Sequence, residues 1–289
     1  MICEKKTSCH NGASASIWLK IKAVQAGEIM HVITLLNEKG GVGKTTLATH
    51  IAAGLAVLGY RVILADADPQ GHATVSLGVK RGPGLYDLLV REASFRDVLV
   101  PVQPEVYGPP NRKVDGQLYV ISSNEETRAI PLMTSDGLIV LKRLNELGDA
   151  IDVVLFDTSP TPSLLHSSIY MATHSIVYPT ECEYLSLDGL NQSLRHRDMI
   201  QPTRSQWGLD LIEIMGIVPM KFRAKTILHQ HNLKKMREQF GRKVWPPLAL
   251  RTIWGEASYM RKPVFNMAPD SVAAKEIWQV VNRVQEAIS

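Results

Sequence analysis

The run His31-Val32-Ile33-Thr34-Leu35-Leu36 leads into Asn37-Glu38-Lys39-Gly40-Gly41-Val42-Gly43-Lys44-Thr45-Thr46, and then into the helical pattern Leu47-Ala48-Thr49-His50-Ile51-Ala52-Ala53-Gly54-Leu55-Ala56. No other stretch constrains the fold as tightly. Strand, glycine-rich turn and helix in that order make a cup of backbone N–H groups, and the helix N-terminus adds positive potential. Such a cup binds phosphate. Gly40, Gly41, Val42, Gly43 and Thr46 supply the cradle, Lys44 reaches the outer phosphates, and the Thr45 hydroxyl sits on Mg²⁺.

The strict pattern G-x-x-x-x-G-K-[ST] is not met, because Glu38 stands where its first glycine belongs. In its place the turn carries a second lysine, Lys39, at its entrance. In that form the stretch resembles the deviant Walker A motif of the ParA/MinD family of dimeric ATPases.

The chain has 289 residues, 45% hydrophobic and 21% charged, which places it among globular proteins of one large or two small domains. No apolar run approaches the roughly 18 residues of a membrane span. Lys20 and Lys22 interrupt any secretory hydrophobic region. Cys3, Cys9 and Cys182 are widely separated, which fits a reducing cytoplasm and no structural metal. The net charge of +4 is uneven: Arg195 to Lys262 holds fourteen Lys/Arg against five Asp/Glu, so the rest of the chain is acidic. A basic half on a folded chain suggests a polyanionic partner.

In chain order, residues 1–29 lack periodicity and are expected to be a flexible extension; Met30 would open a complete domain over 30–289. Arg61-Val62-Ile63-Leu64-Ala65 is predicted as a second strand parallel to the first, since a crossover helix separates them. It runs into Asp66-Ala67-Asp68-Pro69-Gln70-Gly71, and two carboxylates one residue apart point to opposite faces if extended. A carboxylate there can position water for in-line attack on a phosphate. Residues 101–117, rich in Pro, Gly and Asn, are predicted as an exposed loop, followed by a strand at Leu118–Ile121 and a helix near Leu138–Leu147. Val153-Val154-Leu155-Phe156-Asp157 is an apolar strand tipped by a carboxylate suited to Mg²⁺. Further strands are expected at Ser175–Tyr178 and Leu211–Val218, and helices at Thr226–Phe240 and Asp270–Ile288.

Asp66-Ala67-Asp68-Pro69-Gln70-Gly71 also resembles the family's A′ motif, and Pro179 to Leu190 resembles the segment that opens its long helix near the dimer interface. The likeness spans roughly Met30 to Ile288. It implies an α/β P-loop NTPase fold, a doubly wound, mainly parallel sheet with helices on both faces. It also implies a weak ATPase using ATP and Mg²⁺. On that resemblance Asp68 positions water, Asp66 supports the metal with Thr45 and Asp157, Met220 touches adenine, and Lys39 reaches the partner's nucleotide. An ATP-bound homodimer would bind non-specific double-stranded DNA and be released by a ParB-like partner, giving a cytoplasmic, nucleoid-associated protein. Arg223, Lys225, Lys234, Lys235, Arg251, Arg261 and Lys262 are the candidate DNA contacts, although Ile253 stands where the family often has arginine. The alternatives are positioning of a protein cargo by the same machinery, and a MinD-like membrane ATPase. The latter needs a C-terminal helix with basic and bulky apolar faces, whereas the end here continues the predicted core helix and has one cation; an iron–sulfur reductase needs cluster-ligating cysteines, and only Cys182 lies outside the extension.

Overall fold

Alternation along the strands sorts their side chains to two sides of one sheet. In the computed structural model, which describes residues 30–289, the strands are β1 His31–Leu35, β2 Arg61–Ala67, β3 Leu99–Val102, β4 Gln117–Ile121, β5 Val153–Thr158, β6 Ser175–Glu181 and β7 Glu213–Met220. The extension read at 1–29 lies outside the described residues. Ile33, Leu35, Val62, Leu64, Val153 and Leu155 enter one core, while Val32, Ile63, Ala65, Val154 and Phe156 enter another on the opposite face.

The sheet order is β3-β4-β2-β5-β1-β6-β7. All pairings are parallel except β3 on β4. β1 and β2 are parallel as predicted, yet not adjacent: β5 lies between them and pairs with both. The chain is thus an α/β protein with a doubly wound sheet.

The longer helices are α1 Lys44–Val57, α2 Leu164–Ala172, α3 Tyr184–Gln206, α4 Ile227–Phe240, α5 Ile253–Tyr259 and α6 Val272–Ile288. α6 buries Ala273, Ala274, Ile277, Val280, Val281 and Val284, an i, i+3, i+4 stripe. That stripe packs on α1, where a Cβ on Gly54 would meet Val281 at 2.6 Å. α2 packs on the other face, and α3 and α4 share a third cluster around Tyr178 and Leu233.

One expectation is corrected. Residues 101–117 are not simply an exposed loop: they contain the end of edge strand β3 and a short helix at Pro104–Tyr107, with Tyr107 1% exposed. Pro101 is compatible with β3 because an edge strand needs ladder donors on one side only.

Candidate nucleotide site

β5 sits between β1 and β2, and the register sets Asp157 beside both Leu35 and Asp66. The loop, the paired aspartates and the strand-end aspartate, 120 residues apart in sequence, therefore meet at the carboxyl edge of three neighbouring strands. Parallel sheets place ligand sites at that edge.

The loop is stiffened from several directions. Gly41 and Gly43 have φ of 77° and 96°, the left-handed region that disfavours a side chain. A Cβ on Gly43 would also lie 2.7 Å from Met220 Cε. Val42 is fully buried, and Lys221 Nζ donates to Gly41 O at 2.6 Å while pairing with Glu181 at 2.7 Å. Asn37, also fully buried, donates to Pro179 O at 2.9 Å and accepts from Lys39 N at 2.8 Å.

The two lysines differ in what holds them. Lys44 is 6% exposed, and its Nζ donates to Asn37 O at 2.8 Å and Lys39 O at 3.2 Å. Burial pushes its ammonium below the usual lysine range, with Asp157 and Asp68 opposing. Lys39 is partly exposed, and its ammonium makes no hydrogen bond or ion pair among the described residues. Its backbone packs on α3: a Cβ on Gly189 would lie 3.0 Å from Lys39 N.

Carboxylates dominate the other wall. Thr45 Oγ1 donates to Asp157 Oδ2 at 2.7 Å, leaving the buried Asp157 Oδ1 without a partner. Burial, reinforced by Asp66, pushes the Asp157 carboxyl well above the usual carboxylate range. Burial likewise pushes Asp66 up, although Thr74 donates to its Oδ2 from N at 2.8 Å and from Oγ1 at 2.7 Å. Two buried carboxyls side by side, one with an orphaned oxygen next to a hydroxyl, form a hard-oxygen donor set that fits Mg²⁺. Asp66 is the more enclosed of the two, bound up with Thr74. Asp68 is partly exposed beyond the strand end, where Gln70 N donates to its Oδ1 at 2.9 Å.

A cleft of about 760 Å³ opens over these groups, lined by Gly40, Gly41, Gly43, Lys44, Thr45, Thr46 and Asp68 among the predicted residues. Met220 is not in its lining: at 4% exposed, it lies against Gly43. The cleft also takes in Arg128 and His166, which the sequence did not flag. His166 Nε2 donates to Ser159 O at 3.1 Å, so Nδ1 accepts from Ser163 Oγ at 3.0 Å, and burial keeps the ring below its ordinary pKa. Asn37 and Lys221 were missed as well. A polar residue closing an apolar strand is the signal for Asn37, but Lys221 has none, since only the pairing of β6 with β7 brings it to the loop.

The comparison with known proteins agrees with this geometry. The AAA domain family matches residues 30–207. The chromosome-partitioning ATPase Soj of Thermus thermophilus is 33% identical over 261 residues, covering 88% of this chain and 97% of that protein. The chain belongs to the ParA/Soj family of partition ATPases. The sporulation initiation inhibitor protein Soj of Bacillus subtilis is 31% identical, covering 84% and 94%. Among solved structures, a cobyrinic acid a,c-diamide synthase from Mycobacterium smegmatis, with ADP and magnesium bound, superposes with a TM-score of 0.70. It is 23% identical over 89% of this chain and 94% of its own, a likeness of fold. As a ParA/Soj member the chain is an ATP hydrolase.

The predicted basic residues are more dispersed than their sequence density suggests. Arg223, Lys225, Lys235 and Arg261 are exposed, and Lys262 is half-buried in a second, smaller cavity beside His50 and Trp254. Arg251 pairs with Glu276 at 2.8 Å, and Lys234 lies 3.8 Å from Glu238. Arg204 is 2% exposed and hydrogen-bonds the carbonyls of Tyr170, Met171 and Asp210, so it adds nothing to the surface. A bridge between Phe222 and Ala249 brings the segments of Arg223 and Arg251 together.

Proposed function

We propose that the protein works as one domain over residues 30–289, pairing with a second copy over bound ATP and then holding duplex DNA without sequence preference. Hydrolysis stimulated by a ParB-type partner would release it. The observation that carries this reading is the division of labour between the loop lysines: Lys44 is buried and tethered, whereas the partly exposed Lys39 has an ammonium with no hydrogen bond or ion pair among the described residues. A second cation with no internal partner is available to another subunit's phosphates.

Within the site, Thr45 and Asp157 would hold Mg²⁺, which supplies positive charge against the phosphates. Asp68, set at the cleft, accepts a hydrogen bond from the attacking water and orients it. Asp66 holds the start of the Asp68 turn by accepting from Asp68 N at 3.2 Å. Lys44 neutralises phosphate charge, exchanging its two carbonyl partners for phosphate oxygens.

The exposed cations after Lys221 support DNA as the polyanion, because lysine and arginine displace phosphate counterions regardless of sequence. A MinD-like membrane role has less support: α6 spends its apolar face on α1, and no helix among the described residues is long and apolar enough to cross a membrane. Placement of a protein cargo would use the same switch. The test is binding of non-specific duplex by the protein and by Lys39→Ala, with ATP or ADP, over a salt series. Binding that needs ATP, weakens with salt and is lost in Lys39→Ala is expected. Equal binding with ADP, or an unchanged Lys39→Ala, would sink the switch.

A further inference from the structure

We propose that Arg128 is a third cation of the ATP site, reaching the terminal phosphate of ATP within the same subunit from the turn that follows β4. The proposal rests on the cleft being the ATP site.

Arg128 lines the same cleft as Gly40, Lys44 and Asp68. It is exposed and makes no hydrogen bond or ion pair among the described residues. Its acidic neighbour does not neutralise it. Glu126 is occupied by Arg91, whose guanidinium donates to it at 3.0 and 2.5 Å and to Asp87 at 2.6 Å. Arg128 is therefore a free guanidinium in the lining of a cleft that also takes in Lys44 and Asp68.

The turn that carries it is tied to those carboxylates by buried hydrogen bonds. Asp66 accepts from Thr74 Oγ1 at 2.7 Å, and that oxygen accepts from Ser123 N at 3.1 Å. Ser123 Oγ donates to Thr127 Oγ1 at 2.9 Å, one residue before Arg128. Asp66, Thr74, Ser123 and Thr127 are each at most 2% exposed. Asn124 caps the turn by accepting from Glu126 N at 2.9 Å. The chain from strand end to turn is continuous and dry, so it holds the base of Arg128 in a defined place relative to Asp66. A long flexible side chain on an anchored base can reach a ligand without disordering its support.

The chemistry matches a terminal phosphate. A guanidinium offers a planar fork of donors that suits phosphate oxygens, and ATP differs from ADP by one doubly charged group on the outer side of the loop. A cation placed there strengthens ATP over ADP, while the loop itself grips both.

The experiment titrates the full chain, Arg128→Gln and Arg128→Lys with a non-hydrolysable fluorescent ATP analogue and with fluorescent ADP. Protein is kept dilute enough to sediment as a monomer, so that Lys39 of a second copy plays no part. Arg128→Gln is expected to weaken the analogue by about 10-fold or more, the scale of a charged hydrogen bond, and to leave ADP within about twofold. Arg128→Lys should recover part of the loss. An equal loss for both nucleotides would show a disturbed turn, and no loss for either would show a bystander; each overturns the proposal. If the unaltered chain fails to bind the analogue, the ATP-site reading falls first and the proposal with it.

Discussion

The phosphate loop and the basic stretch beyond Lys221 both gather cations, and they hold them in opposite ways. In the loop, Lys44 is buried against two carbonyls, Lys221 is pinned between Gly41 O and Glu181, and Gly41 and Gly43 fix the backbone. Beyond it, Arg223, Lys225, Lys235 and Arg261 stand in solvent. Under the proposed function, the difference follows from what each region would recognise. A phosphate chain in a fixed pose for hydrolysis needs preset donors, so rigidity is worth its cost in strain. A DNA backbone met in any register needs only charge at roughly the right spacing, and ordered side chains would add nothing.

The sharpest way to break this comparison is Gly43→Ala. A side chain there meets both a left-handed φ and Met220 at 2.7 Å. The expected cost is about 2–4 kcal/mol, read as a lower melting temperature together with lost ATP binding. Adding Met220→Ala should return the packing share and leave the backbone share, which a double-mutant cycle separates. If Gly43→Ala melts with the unaltered protein, the loop is not held as described.

His50 joins the two regions and supplies the next effect. Its Nδ1 donates to Thr46 O at 2.6 Å and its Nε2 accepts from Val264 N at 2.9 Å, so α1 and the segment after Lys262 share one neutral imidazole. Burial pushes its pKa down to about 4. Below about pH 6.5 the unfolded chain takes up a proton that the folded chain refuses. Stability is therefore fully present above that pH and declines as pH falls through 6.5 towards 4, by on the order of 3 kcal/mol for this group. His174, pushed down to about 4 by burial, adds in the same direction. Denaturant titrations across pH 4–7 should show a shallower acid loss in His50→Gln; an unchanged slope would remove His50 as the link.

The smallest effect contrasts two arginines on the basic side. Arg223→Ala should reduce the salt dependence of duplex binding by about one counterion. Arg251→Ala should change it less, because Glu276 already neutralises that guanidinium. Equal slopes for the two variants would mean that the ion pair opens on DNA.

Legibility followed the same divide. The loop could be read because its chemistry lies within Lys39 to Thr46, and the strand-end aspartates because each follows an apolar run. The strands and closing helix were legible from periodicity, whereas edge strand β3 was hidden by Pro101 and the loop-like composition after it. Arg128, His166 and Lys221 had no local signal. Met220, read as a contact for adenine, lies beneath Gly43 because strand β7 ends there.

The amino-acid sequence by itself determined the α/β class, the phosphate cup and the aspartates at the strand ends, since each depends on residues within a few positions of one another. Only the tertiary structure decided which of these meet. Inserting β5 between β1 and β2 set Asp157 beside Asp66 and pushed both carboxyls up through shared burial. Packing against the carbonyls of Tyr170, Met171 and Asp210 took Arg204 out of the basic surface, and the turn after β4 brought Arg128 to the cleft. Charge density is written along a chain, but which charges face one another depends on strand order and burial.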